Sequence, residues 1–193
     1  HYSHGLKDFV LCTGYLSNKV KKFAESLNLD VSIKYSDAGN DAGILKRLLV
    51  ARPLLNDTVL VLYGDTFIDL DPKDIYKAHK KSRSYATITV AESQSPFGIV
   101  HLNDQSLVNK FVEKPVMNHF IGNMVLDINI FDDLDPYIMD FSDGDGIVKM
   151  FEELTKKQKL SAYVHRGFQL TFNTVYDHKE ADKEFTDYFT QRS

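Results

Sequence analysis

Short apolar runs alternate with amphipathic stretches along the first half of the chain. Asp8–Thr13 (DFVLCT) is an apolar run closed by Gly14. Val20, Phe23, Ala24 and Leu27 then recur at helical spacing, with Ser17 placed to cap that helix. Val31–Tyr35 (VSIKY) alternates with the two-residue period of a strand. Ile44, Leu45, Leu48 and Leu49 predict a helix over residues 42–49, which Pro53 ends. Thr58–Tyr63 (TVLVLY) is continuously apolar, the pattern of a strand buried on both faces, and Gly64-Asp65 closes it. Asp71 and Pro72 suit the cap and first turn of a helix reaching about His79. Strand–helix alternation of this kind predicts an α/β fold with a mixed, mostly parallel sheet and helices on both faces.

The second half is more mixed. Tyr85–Ala91 and Phe97–Leu102 read as strands, and Asn103-Asp104-Gln105-Ser106 is a turn before a strand over Leu107–Val112. A long strand is predicted over Phe120–Ile130. Helices follow near Asp133–Met139 and Ile147–Lys157, then a strand over Leu160–His165 and an amphipathic helix from Val175. With no repeat, low-complexity stretch or linker, residues 1–193 read as a single domain.

Composition narrows the function classes. A net charge of −4 favours neither nucleic acid nor an anionic membrane as partner. No apolar run approaches the ~18 residues of a membrane span. The one cysteine, Cys12, precludes a disulfide within the chain and suits a reducing cytoplasm; its apolar setting predicts a small buried side chain. The seven histidines lack metal-ligand spacing, and no CxxC, HExxH, GxSxG or P-loop pattern occurs, which disfavours zinc, serine-hydrolase and ordinary kinase chemistry.

Two places stand out chemically. Asp65 follows a buried strand, and open α/β sheets bind ligands at the carboxyl ends of their strands. A carboxylate there suits Mg²⁺ on a triphosphate, although Gly-Asp is also simply a good turn; Asp69 and Asp71 nearby read as loop and cap. Glu113-Lys114-Pro115 follows the strand Val108–Val112. Lysine can clamp a phosphate and glutamate can accept from sugar hydroxyls; the plain alternative is a surface ion pair.

The motifs in order resemble the sugar-1-phosphate nucleotidylyltransferases, with glucose-1-phosphate cytidylyltransferases as the nearest subgroup. The resemblance runs through FVLCTGYLSNKVKKF (Phe9–Phe23), DAGILKRL (Asp41–Leu48), LYGD (Leu62–Asp65), FGIVHLNDQSLVNKFVEKP (Phe97–Pro115) and LSAYVHRGFQLTFNTVYDHKEADKEF (Leu160–Phe185). It implies a three-layer α/β/α Rossmann-like fold. It also implies attack of a sugar 1-phosphate on the α-phosphorus of a nucleoside triphosphate, with Mg²⁺ as cofactor. By resemblance, Asp65 binds Mg²⁺, Lys114 holds the sugar phosphate, Glu113 holds the sugar, and Gly43 lines the base-binding loop. Gly64, Asn123 and Thr174 are further substrate-binding candidates, and Asn173 is the second metal position. The implied partners are the two substrates and, as an option, further copies of the same chain.

The sequence departs from the family pattern in three places. The family's N-terminal Gly-rich loop is missing: the chain begins at His1 and enters a strand almost at once, which reads as a truncated start. On that reading the 193-residue chain alone is expected to be inactive or nearly so. Asn173 stands where the family has a metal-binding Asp, and Gln169 where it has Trp. Gly122-Asn123-Met124 replaces Asn-Gly-Gly, so Asn123 is shifted by one residue, which reverses its face on a strand. The changes at Asn173 and Gly122 sustain an alternative, a degenerate non-catalytic sensor or scaffold subunit.

Overall fold

The computed structural model describes residues 4–172 and 174–190, without the side chains at 175, 176, 178–180 and 189. In chain order the elements are β1 (Asp8–Thr13), α1 (Ser17–Ser26), β2 (Ser32–Asp37), α2 (Ile44–Ala51), β3 (Thr58–Leu62), β4 (Thr66–Ile68) and α3 (Pro72–Ser82). Then come β5 (Ala86–Gln94), β6 (Ile99–Leu102), β7 (Val108–Val112), β8 (Val116–Asp127), α4 (Ile130–Asp133), α5 (Asp145–Lys156), β9 (Leu160–His165), β10 (Gln169–Thr171) and α6 (Val175–Thr190). The α/β expectation holds. By internal contacts the chain forms two compact units. One comprises the residues through Val61, Asp71–Thr87 and Met124–Ser161; the other comprises Leu62–Leu70, Ile88–Asn123 and the chain from Ala162.

The first unit carries most of the buried apolar side chains: Leu45, Ile75, Met124, Leu126, Ile130, Ile138, Met150 and Leu154 are all within 1% of full burial. Each such side chain contributes about 1.5–3 kcal/mol relative to exposure. Strands β1 and β2 pair in parallel, Asp8 opposite Ser32 through Thr13 opposite Asp37. Four further strands line up in the order β3-β8-β5-β9. Asp127 N donates to Tyr85 O and Ile128 N to Asp57 O, so β8 ends where β3 and β5 begin and runs against both. Tyr85 N and Ala86 N both donate to Lys159 O, so β9 starts beside β5 and runs with it.

A polar chain crosses this end of the sheet. Thr58 Oγ1 donates to Asp127 Oδ1 at 2.6 Å, and Asp127 Oδ1 also lies 3.2 Å from His79 Nε2. His79 Nδ1 is 2.9 Å from Thr87 Oγ1, which is 2.6 Å from Ser161 Oγ. His79 is 1% exposed, so these partners replace the water it gives up. Burial pushes the Asp127 carboxyl up. The hydrogen bonds from Thr58 and His79 and the positive charges of His79 and Lys80 outweigh it and hold the group below its ordinary value.

In the second unit β4 pairs antiparallel with β10, and β6 with β7. Phe67, Phe168, Phe185 and Tyr188 form one aromatic cluster that attaches α6: Phe168 stacks on Tyr188 at 4.3 Å, and Phe67 meets Phe185 edge-on at 4.6 Å. The Tyr188 hydroxyl donates to Asp69.

Several expectations hold and several need correction. Asp71 caps α3 as read, its Oδ1 accepting from Lys73 N at 2.9 Å. The Asn103 turn also stands, with its side chain accepting from Gln105 N and Leu107 N. Ser17 is the first residue of α1 rather than its cap: Leu16 turns the chain with φ 57° and Gly14 O accepts from Ser17 N. On α1 only Ala24 is buried; Val20, Phe23 and Leu27 are exposed, because helical spacing sets which residues share a face, not what covers it. β3 is half-buried rather than fully buried, since β8 is its one strand neighbour among the described residues. Cys12 is exposed, not buried. The helix expected over 133–139 is a short α4 and a 3₁₀ turn at Pro136–Asp140, separated because Pro136 keeps Asp135 extended at ψ 126°. Pro53 sits within a 3₁₀ turn that prolongs α2. The three-residue strands β4 and β10 carry no periodic signal and were not predicted.

Candidate active site

The second unit holds Gly64, Asp65, Glu113, Lys114, Asn123 and Thr174, and its backbone brings Gly122 and Phe172 beside Asp65. The chain leaves β3 at Leu62, and Tyr63 N donates to Gly122 O at 3.2 Å, bringing Gly122 of β8 beside this strand end. Gly122 has φ +83°, and a Cβ there would lie 3.1 Å from Thr66 Oγ1. That hydroxyl in turn donates to Asp65 Oδ1 at 3.2 Å. Phe172 N donates to Asp65 O at 3.0 Å, so the chain just before position 173 runs beside Asp65. Asn173 itself lies outside the described residues. Burial, followed by the negative charge of Asp65, pushes the Tyr63 hydroxyl up to about 12. Tyr63 therefore stays protonated at neutral pH. Gly64, next to Asp65, has open space where a side chain would stand.

Asn123 is 2% exposed and its Oδ1 has no hydrogen-bond partner among the described residues. An unmet buried acceptor costs about 1–3 kcal/mol. Thr174 is engaged locally: its Oγ1 accepts from Asp177 N at 3.1 Å while Asp177 Oδ2 accepts from Thr174 N at 3.0 Å, a reciprocal cap at the start of α6.

Glu113 and Lys114 follow β7 in the same unit. Lys114 takes a left-handed φ of +41°, and the turn is fixed by Ser95 N donating to Pro115 O at 2.9 Å. Lys114 Nζ is 4.0 Å from Glu113 Oε1, with both side chains more than half exposed. Such a pair adds little stability and can exchange its partners for a ligand. A Cβ at Gly98 would lie 3.1 Å from Glu113 Oε2 and 2.7 Å from the Phe111 ring, so Gly98 packs closely against both side chains. Gly98 was not singled out in the sequence, where it reads only as a strand residue beside Phe97.

The remaining candidate, Gly43, belongs to the first unit. A Cβ there would meet Phe141 O at 2.6 Å and Asp143 O at 2.8 Å, so only glycine fits. It lines a cavity of about 520 Å³ with Asn40, Asp41, Arg47, Ser142 and Asp143. The 142–144 wall was missed in the sequence because nothing local links FSDGDG to residue 43.

Among the described residues no three His, Cys, Asp or Glu side chains converge as a metal cage. Mg²⁺ does not need one: it keeps several waters and takes one or two carboxylates plus substrate phosphates. Asp65 pairs with no cation among the described residues, and that donor set fits this manner of binding.

The family model described as "Nucleotidyl transferase" matches residues 2–177. A UTP--glucose-1-phosphate uridylyltransferase of Synechocystis is 28% identical over 72% of this chain, which spans 39% of that protein. A glucose-1-phosphate cytidylyltransferase of Salmonella typhimurium is 28% identical over 90% of the chain and 76% of its own length. The crystal structure of HddC from Yersinia pseudotuberculosis complexed with GMP-PN shares the fold, with a TM-score of 0.69 at 18% identity over 95% of this chain and 81% of that one.

Proposed function

The chain belongs to the nucleotidyl transferase family, and from that premise we propose that the protein carrying it joins a nucleoside triphosphate to a sugar 1-phosphate. A phosphate oxygen of the sugar attacks the α-phosphorus, the bond to the β-phosphate oxygen breaks, and pyrophosphate leaves with an NDP-sugar as the other product. Catalysis of such a step is mostly alignment and charge neutralisation. The observation that carries the reading is the meeting of Asp65, Gly122 and the 172 segment where β3 ends.

In this reading Asp65 holds Mg²⁺ with the triphosphate, and the metal supplies charge neutralisation when bound. Lys114 binds the sugar phosphate as a point charge, and Glu113 accepts from sugar hydroxyls. The Gly43 cavity receives the nucleoside. The relatives named above concern uridylyl and cytidylyl transfer, so the base is left to experiment. Among the described residues no helix is long and apolar enough to cross a membrane.

One sequence feature favours a second reading, a non-catalytic sensor or scaffold subunit: Asn173 is neutral where the family resemblance puts an acidic metal ligand. The same assay separates the two. Pyrophosphate release is measured on the protein carrying this chain, with Mg²⁺ over a panel of nucleoside triphosphates and sugar 1-phosphates. Release above background with at least one pair is expected. None with any pair, while nucleotide still binds, would establish the second reading instead.

A further inference from the structure

Arg47 lies on α2 and reaches two other parts of the first unit. Its Nη1 donates to Thr13 O at 2.6 Å, where β1 ends, and its Nη2 donates to Asn40 O at 3.2 Å, on the loop that enters α2. A planar guanidinium can bridge two carbonyls in this way; an ammonium on a flexible stem is not preorganised for it.

Gly14 is shaped to this contact. A Cβ at position 14 would stand 2.4 Å from Arg47 Nη1, 2.8 Å from Nη2 and 2.6 Å from Gly39 O. No side chain fits there while the guanidinium is in place. The loop is tied elsewhere too. Asp37 Oδ1 accepts from Gly39 N at 2.9 Å, Gly39 has φ +84°, and Gly43 packs on the carbonyls of Phe141 and Asp143. Arg47 is thus the side chain that fixes the middle of the loop, and it also lines the cavity of about 520 Å³ that the loop borders.

We propose that Arg47 is a positioning residue for nucleotide binding: it holds residues 39–43 in the shape that receives the nucleoside, with Gly14 as its seat. The inference rests on the reading of this cavity as the nucleotide pocket. It assigns no chemical step to Arg47, so its removal weakens triphosphate binding and leaves the chemistry intact.

The test uses the protein carrying this chain, with Arg47→Lys, Arg47→Ala and Gly14→Ala, each checked by thermal melting. Two readouts are taken. Hydrogen exchange of amides 39–43 without nucleotide reports the clasp independently of any activity, and it should quicken about tenfold or more in Arg47→Ala while amides late in α2 stay unchanged. Steady-state kinetics should show KM for the triphosphate rising about tenfold, with kcat and KM for the sugar 1-phosphate within twofold; Arg47→Lys should fall between wild type and Arg47→Ala. Should Arg47→Ala not fold, Arg47→Lys carries the same expectations in smaller degree; Gly14→Ala, whose Cβ would press on Gly39 O as well, should loosen the loop through both contacts. Unchanged loop exchange, or a rise confined to the sugar-phosphate KM, overturns the role of Arg47. A wild type that turns over no triphosphate while the variants loosen the loop sinks the functional reading, and the assignment to nucleotide falls with it.

Discussion

Strand β3 begins and ends in different chemistry. At its start, Thr58, Asp127, His79, Thr87 and Ser161 satisfy one another in an unbroken hydrogen-bonded chain across four strands. Where it ends, Gly64 faces open space and the Asp65 carboxylate accepts only from the neighbouring Thr66 hydroxyl among the described side chains. The first arrangement leaves no group for a ligand and therefore stabilises the fold. The second leaves a charge with little internal use for it. A similar carboxylate does structural work in one place and is free for chemistry in the other because of what surrounds it.

His79→Ala removes a side chain that is 1% exposed and takes one partner each from Asp127 and Thr87, which keep Thr58 and Ser161. The expected loss is about 2–4 kcal/mol, from the lost hydrogen bonds and the cavity the ring leaves. Chemical denaturation measures it, and a loss below about 1 kcal/mol would mean that water replaces the imidazole freely.

Lys114→Ala should do the reverse, changing binding and not stability. Among the described residues its one ion pair is an exposed contact at 4.0 Å. One charged contact to a ligand is worth about 1.5–3 kcal/mol, so KM for the sugar 1-phosphate should rise tenfold or more. The melting temperature should stay put, and a large drop in it would reassign Lys114 to the fold.

Acid sharpens the contrast by a smaller amount. The Asp127 carboxyl is held below its ordinary value in the folded protein. A lowered folded value means stability that is present above the unfolded value and lost as pH falls through the folded one. Unfolding free energy should therefore decline below the ordinary value of 3.8. Asp127→Asn should flatten that part of the curve.

Features set by neighbours in sequence were legible before the structure. The Asp71-Pro72 start of α3 and the Asn103 turn depend on residues two to four positions away. The motif order identified the family, and LYGD located a strand end with an open flank. Long-range pairings were not legible: His79 with Thr87 and Asp127, or Arg47 with Thr13, join residues with no shared local pattern. Nor could periodicity tell that the α1 stripe of Val20, Phe23 and Leu27 stays exposed. Thr174 also carries a local role that its spacing to Asp177 signals plainly, a reciprocal cap of α6, beside the substrate role that the resemblance implies.

On the proposed function the carboxylate just beyond β3 serves chemistry while the one beside its start serves the fold. Pyrophosphate release and melting temperature, measured together on Asp65→Asn and Asp127→Asn, test it most directly. Asp65→Asn should lose Mg²⁺-dependent turnover by about a thousandfold, a barrier rise of roughly 4 kcal/mol, and melt like wild type. Asp127→Asn should melt several degrees lower and, where folded, turn over normally. Full activity in Asp65→Asn, or a fall in its stability equal to that of Asp127→Asn, would contradict the account.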